Sequence, residues 1–230
     1  MCADRRERRR DPLDGTEPGA GPRRGQRVRR ERGSLDGREP AALDLPRVAE
    51  ADVERGGQGV SAATQAVGKV ERLLTVQDLL HREARLLDDR RFDEWVDMFT
   101  EDATYSLPIV VSDDPREPSL IRDTKAGMEE RVFRLTKTLA HAQNPPSRTQ
   151  HDVTNIEVRD TADGLLEVLC NQTVHELRNG DVFHVGLAKP RTFAARCRYL
   201  IAPGEPWRIR EKTCLLIDRE YPIYNLTFIF

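Results

Sequence analysis

Four cysteines and five histidines carry most of the chemistry open to this 230-residue chain. Their spacing removes several reactions at once. A [2Fe–2S] cluster held by two Cys and two His needs paired C-x-H and C-x-x-H spacings. Cys170, Cys197 and Cys214 have no His at those offsets, and no C-x-x-C occurs. A mononuclear oxygenase iron needs two His and a carboxylate converging on one point. The nearest approach is His175-Glu176 and His184, on either side of Asn179-Gly180. If that pair makes a two-residue turn, Arg178 lies opposite Asp181 and His175 opposite His184 on one sheet face. A metal or acid–base pair is then open, beside the plainer reading of two sheet-face histidines bonded to neighbours or water. No Gly-rich phosphate loop and no Ser/His/Asp nucleophile arrangement is present. The three later cysteines read as small buried hydrophobes in strands, with a disulfide or metal ligation as the other readings.

The elements that would position these residues begin near Val70. Thr75 is a good N-cap for a helix through Val76, Leu79, Leu80, Ala84 and Leu87. A short aromatic helix follows over Phe92–Phe99. Next comes an apolar strand from Ala103 to Val111, in which Pro108 predicts a bulge or an edge position. After a polar loop, Met128, Val132, Leu135, Leu139 and Ala142 recur at spacings of three and four, which predicts a helix over 123–142 ended by Asn144-Pro145-Pro146. From Ser147 onward the pattern is antiparallel sheet: strands over 151–159, 164–177, 182–187 and 191–201. A last strand over Trp207–Ile217 turns Ile209, Thr213 and Leu215 inward and Arg208, Arg210 and Lys212 toward water. The apolar Leu226–Phe230 run should tuck against the core. Helices followed by long bent strands describe an α+β domain with its helices on one side of a curved antiparallel sheet.

The residues before Val70 have another character. Met1–Lys69 contains no aromatic residue and mixes Arg, Gly and Pro without period. Such a stretch cannot offset an ordering cost of roughly 1–2 kcal/mol per residue, so a disordered arm over 1–69 and a folded domain over 70–230 are expected. The Arg clusters could serve a nucleic-acid or acidic partner. Acidic residues dilute them and no aromatics interleave for base stacking, which favours a solvated tail, or upstream sequence translated from a start placed too early, and no nucleic-acid role. No apolar run approaches the roughly 20 residues that cross a bilayer, and a secretory signal core is missing. The reading is cytoplasmic, with no membrane contact.

Three stretches together resemble a known family. The first is His81-Arg82-Glu83-Ala84-Arg85-Leu86-Leu87-Asp88-Asp89-Arg90-Arg91-Phe92-Asp93-Glu94-Trp95 with Phe99-Thr100-Glu101-Asp102-Ala103-Thr104-Tyr105. The second is Arg131-Val132-Phe133-Arg134-Leu135 running on to the corner Pro145-Pro146-Ser147-Arg148-Thr149-Gln150-His151. The third is Asn225-Leu226-Thr227-Phe228-Ile229-Phe230. They are similar to the β subunits of Rieske non-haem iron aromatic ring-hydroxylating dioxygenases, over roughly Val70–Phe230. The segment before Val70 has no counterpart in the family.

The resemblance implies a nuclear-transport-factor-2-like (SnoaL-like, cystatin-like) cone of curved sheet with helices over its mouth. It implies a structural, non-catalytic small subunit without a cofactor of its own. Three such subunits, in contact with one another, would sit beneath three α subunits that hold a Rieske [2Fe–2S] cluster and a mononuclear iron. A reductase and often a ferredoxin would deliver electrons from NADH, and the complex would use O2 to make a cis-dihydrodiol from an aromatic compound. Subunit contacts fall to Arg148, Pro145, Pro146 and Phe230. The same fold also implies an alternative, a stand-alone dehydratase or isomerase with Tyr105, His151, Asp152 and His184 in its cavity. A buried Asp–His pair there would supply a base poised near neutral pH.

Overall fold

The computed structural model describes residues 62–230 except 113, 115 and 181–186. Expectations attached to residues 1–61, to His184 and to the strand over 182–187 lie outside the described residues. The first helix, α1 (Ala62–Asp88), starts ahead of the expected border at Val70 and runs through Thr75. Thr75 therefore does not cap it; its hydroxyl donates back to the Glu71 carbonyl within the helix (2.9 Å). α2 (Phe92–Val96) is shorter than expected, because the chain turns into β1 (Phe99–Pro108) at Phe99. The pairing of β1 shifts register between Leu107 and Pro108, where the proline predicted a bulge.

β2 (Ser119–Thr124) is a strand that the sequence pattern did not announce. It is short, lies at the sheet edge and buries only Ile121. α3 (Lys125–Lys137) opens with the Thr124 hydroxyl accepting from the Gly127 amide. It stops before the expected end at residue 142. Thr136 and Thr138 bond back to the Val132 and Arg134 carbonyls, which weakens the last turn, and Leu139 is left exposed. A 3-10 turn, His141–Gln143, leads into the Pro145-Pro146 corner.

β3 (Arg148–Asp160), β4 (Leu166–Leu177), β5 (Arg191–Ala202) and β6 (Arg208–Leu216) complete a curved six-stranded sheet in the order β2-β1-β6-β5-β4-β3. Its pairs are antiparallel except β1 with β6, which is parallel, so the sheet is mixed and not purely antiparallel. β4 pairs directly with β5, setting His175 opposite Thr192, while Gln150 of β3 occupies its other side. Both neighbours of His175 are thus strand residues of β3 and β5. Asn155 supports the β3 bulge with a left-handed backbone (φ 54°), which Asn tolerates better than most residues.

The inner face of the sheet packs on the helices through Val76, Leu80, Trp95, Phe99, Val168, Val174, Cys197 and Ile209. Cys170, Cys197 and Cys214 lie side by side across β4, β5 and β6, buried as free thiols. Among the described residues, no helix is long and apolar enough to cross a membrane.

Candidate functional site

The face of β6 is inverted relative to the expected alternation. Ile201 pairs with Ile209 while Leu200 pairs with Glu211, so Arg210 is an extra residue on β6. One inserted residue exchanges the two faces of everything beyond it. Lys212, expected in water, instead points into the domain with no exposed surface, together with Cys214 and Leu216. It stands in the ladder between Tyr105 of β1 and Tyr199 of β5, its ammonium 5.7 Å and 5.6 Å from their ring centres.

A buried ammonium needs an anion. Glu83 of α1 supplies it. The residue lies within the apolar stripe Val76, Leu80, Glu83, Leu87, whose helical spacing aims it at the sheet. One carboxylate oxygen accepts from Lys212 Nζ (2.9 Å) and Trp95 Nε1 (3.0 Å), the other from the Tyr199 hydroxyl (2.8 Å). Gln172 donates in turn to the Tyr199 oxygen (2.8 Å). Burial works against the Lys212 charge, but the Glu83 carboxylate, together with Cys214, Tyr105 and Cys197 around it, outweighs burial and holds the amine above its ordinary pKa. Burial pushes the Tyr105 and Tyr199 phenols up, so both stay neutral donors.

The segment Phe228–Phe230 closes this network. Lys212 Nζ (2.7 Å) and the Tyr105 hydroxyl (3.2 Å) donate to the Phe230 main-chain oxygen, and the Phe230 amide donates to Tyr105 (3.0 Å). His151 of β3 reaches the same segment, its Nε2 3.3 Å from the Ile229 carbonyl, with Nδ1 2.6 Å from Asp88 Oδ1. Both ring nitrogens thus face oxygen atoms of the chain itself. Desolvation opposes ionisation of Asp88, but bonds from the His151 ring and amide and from Thr149 outweigh it and hold that carboxyl below its ordinary value.

Of the residues of the predicted catalytic alternative, Tyr105, His151 and Asp152 are described, and they do not share one face. Tyr105 and His151 face the interior. Asp152, one residue along an extended strand from His151, faces the other way and lies 3.3 Å from the exposed His175. The acid partner of His151 is Asp88, 63 positions away in the chain, which no local motif could reveal.

A second network fixes the proline corner. Gln143 brackets Ser147, accepting from its amide (3.0 Å) and donating to its hydroxyl (2.9 Å). That hydroxyl donates to Glu176 of β4 (2.6 Å). Arg191 of β5 holds the same carboxylate and also donates to the Tyr224 and Asn225 carbonyls. Arg178 donates to the Pro145 carbonyl (3.3 Å). Pro146 and Arg148 are left exposed and Pro145 half-buried. Phe230, expected at a subunit contact, has no exposed surface to offer a partner; its ring lies against His151 and Phe228.

Among the described residues, no three His, Cys, Asp or Glu side chains are grouped as a metal site would require. Cys197, the most central thiol, is pushed up by burial and by its Cys170 and Cys214 neighbours, the reverse of what a ligating thiolate needs. The described residues thus do not fit an iron–sulfur cluster or a mononuclear iron.

Residues 82–221 match the family model described as the ring hydroxylating beta subunit. The chain is 34% identical over 116 residues to the toluate 1,2-dioxygenase subunit beta of Pseudomonas putida, covering 47% of this chain and 72% of that one. It is 28% identical over 157 residues to the anthranilate 1,2-dioxygenase small subunit of Acinetobacter baylyi, covering 65% and 91%. The solved β subunit of the benzoate 1,2-dioxygenase from Burkholderia mallei superposes with a TM-score of 0.53 at 26% identity, over 75% of this chain and all of that one.

Proposed function

Because this chain belongs to the ring hydroxylating beta subunit family, we propose that it is the structural small subunit of an aromatic ring-hydroxylating dioxygenase, with the chemistry in a larger partner. The observation that carries this reading, beside the family, is how the interior polar groups are used. Glu83, Lys212, Tyr105, Tyr199 and His151 each spend their bonding capacity on one another or on the chain's own Ile229–Phe230. Such a network stabilises a cone and offers substrate no free acid or base.

In this reading the α subunit holds the Rieske [2Fe–2S] cluster and the mononuclear iron. Electrons come from NADH through a reductase and a ferredoxin, and three α and three β subunits assemble. The folded domain is the working part, and the segment ahead of α1 takes no share in the activity. Relatives named for toluate, anthranilate, 2-halobenzoate and p-cumate support an aromatic carboxylate as the compound converted to a cis-dihydrodiol. The exposed corner at Pro145, Pro146 and Arg148 is the surface we assign to the large subunit. A planar guanidinium there suits a partner's carboxylate or carbonyl oxygens.

Co-expression with a Rieske-type large subunit tests the assignment. The two chains should elute together from a size-exclusion column in equal numbers, with iron tracking the larger chain. Separate elution under those conditions would remove it.

One observation favours a second reading, a stand-alone dehydratase or isomerase: the Asp88–His151 pair is built like a general base and its orienting acid. In that case, His151→Gln would abolish turnover by the isolated chain without unfolding it. In the subunit reading, the same change lowers stability or assembly.

A further inference from the structure

β3 is one edge of the sheet: β4 pairs with one side of it, and among the described residues no strand pairs with the other. An edge strand turns unpaired N–H and C=O groups outward, where another extended segment can take them. The first half of α1 runs past the last stretch of this edge, and the Arg72 guanidinium donates to Asp160 across the gap (2.6 Å). Between the two elements lies a groove of about 750 Å³, lined by Lys69, Arg72 and Leu73 of α1 and by residues 156–160 of β3. Its apolar floor is the exposed Leu73 with the half-buried Ile156 and Val158. A groove beside an unpaired edge is the setting in which an extended peptide binds by adding a strand, its alternate side chains filling the apolar floor.

We infer that this groove is the docking site of the chain's own residues 49–54, which add to the free edge of β3 as a further strand. Ala49-Glu50-Ala51-Asp52-Val53-Glu54 alternates apolar and acidic residues without a break, the period of a strand with one buried face. Ala49, Ala51 and Val53 cover the floor, and Glu50, Asp52 and Glu54 stand outward. The charges agree. Asp160 is bonded to Arg72 and Glu157 to Arg159, which leaves Lys69 in excess, while the segment brings three carboxylates and no cation. The tether agrees as well. Lys69 and Leu73 lie seven and eleven residues into α1, roughly 10–17 Å along its axis. Residues 55–61 span up to roughly 24 Å when extended, enough to return the chain to that level. The composition ahead of Val70 cannot build a core, but a short strand laid on a finished edge needs none of its own. The site lies within one chain, and the inference does not rest on the subunit reading.

Amide hydrogen exchange on the full chain, read by mass spectrometry of its peptic fragments, tests the docking. In the parent chain the amides of residues 50–54 should exchange at least about tenfold more slowly than in the same peptide alone. Ala51→Pro removes an edge donor and Val53→Asp sets a charge in the groove. Together they should release residues 50–54 to the unprotected rate and speed the fragment covering 156–160 by about tenfold. Fragments from β4 and β5 should not change, since both substitutions lie ahead of α1. Unprotected amides at 50–54 in the parent chain would overturn the proposal, as would a 156–160 fragment indifferent to the double substitution. Protection of 156–160 that grows with protein concentration would give the edge to a second copy of the chain, and also overturns it.

Discussion

Lys212 and Glu83 form an ion pair, 2.9 Å apart, in which neither side chain exposes any surface. The pair ties α1 to β6 across the interior. Trp95 and Tyr199 satisfy the remaining carboxylate capacity and Phe230 takes another ammonium hydrogen. A buried pair so completely bonded is far more costly to break than to replace, because removing one partner strands a charge without solvent.

Lys212→Met should therefore destabilise the chain by about 3–5 kcal/mol, while Lys212→Met combined with Glu83→Leu should recover most of that loss. Urea denaturation of the four members of the cycle measures it. Additive losses would show that the two residues do not act as a pair.

The Asp88–His151 contact sets an acid limit. The folded-state pKa of Asp88 lies below the ordinary 3.8. Its contribution is complete above that ordinary value and disappears as pH falls through the lower folded one. Stability plotted against pH should lose its steepest acid component in Asp88→Asn. A variant whose acid limb keeps the parent slope below pH 4 would contradict the assignment.

Arg191→Ala leaves the Glu176 carboxylate, whose side chain is 1% exposed, with the Ser147 hydroxyl but no cation. A loss of about 3 kcal/mol is expected. Faster proteolysis between Tyr221 and Asn225 should accompany it, since the same guanidinium holds the Tyr224 and Asn225 carbonyls. An unchanged cleavage rate there would show that Arg191 does not anchor the segment.

Arg148→Ala should leave the melting midpoint of the isolated chain within about 1 °C, because the residue is exposed, and weaken binding to the large subunit roughly tenfold. Titration calorimetry on the two purified chains reads it directly. Equal affinity would remove the corner from the proposed interface.

Much of this architecture was legible along the chain. Pro108 announced its bulge, the apolar Phe228–Phe230 run its burial, and the three later cysteines their places in strands. What escaped was what a local pattern does not encode. The extra residue at Arg210 exchanges the faces of β6, so strict alternation put Lys212 in water when it is the centre of the interior. Asp88 reaches His151 only because α1 packs on β3, and the nearer Asp152 was the wrong acid because extended neighbours face opposite ways. Glu83 did leave a signal, a lone carboxylate inside an apolar helical stripe. Buried acids of that kind point to a cation elsewhere in the fold.

The central claim, a subunit that holds its partner in working form without reacting itself, is tested most directly by titrating this chain into a purified Rieske-type large subunit. NADH-dependent oxidation of an aromatic carboxylate is followed with reductase and ferredoxin in excess. The account predicts no turnover by this chain alone and a rate that rises to a plateau at one chain per large subunit. Turnover by the isolated chain, or a rate indifferent to its addition, would contradict it.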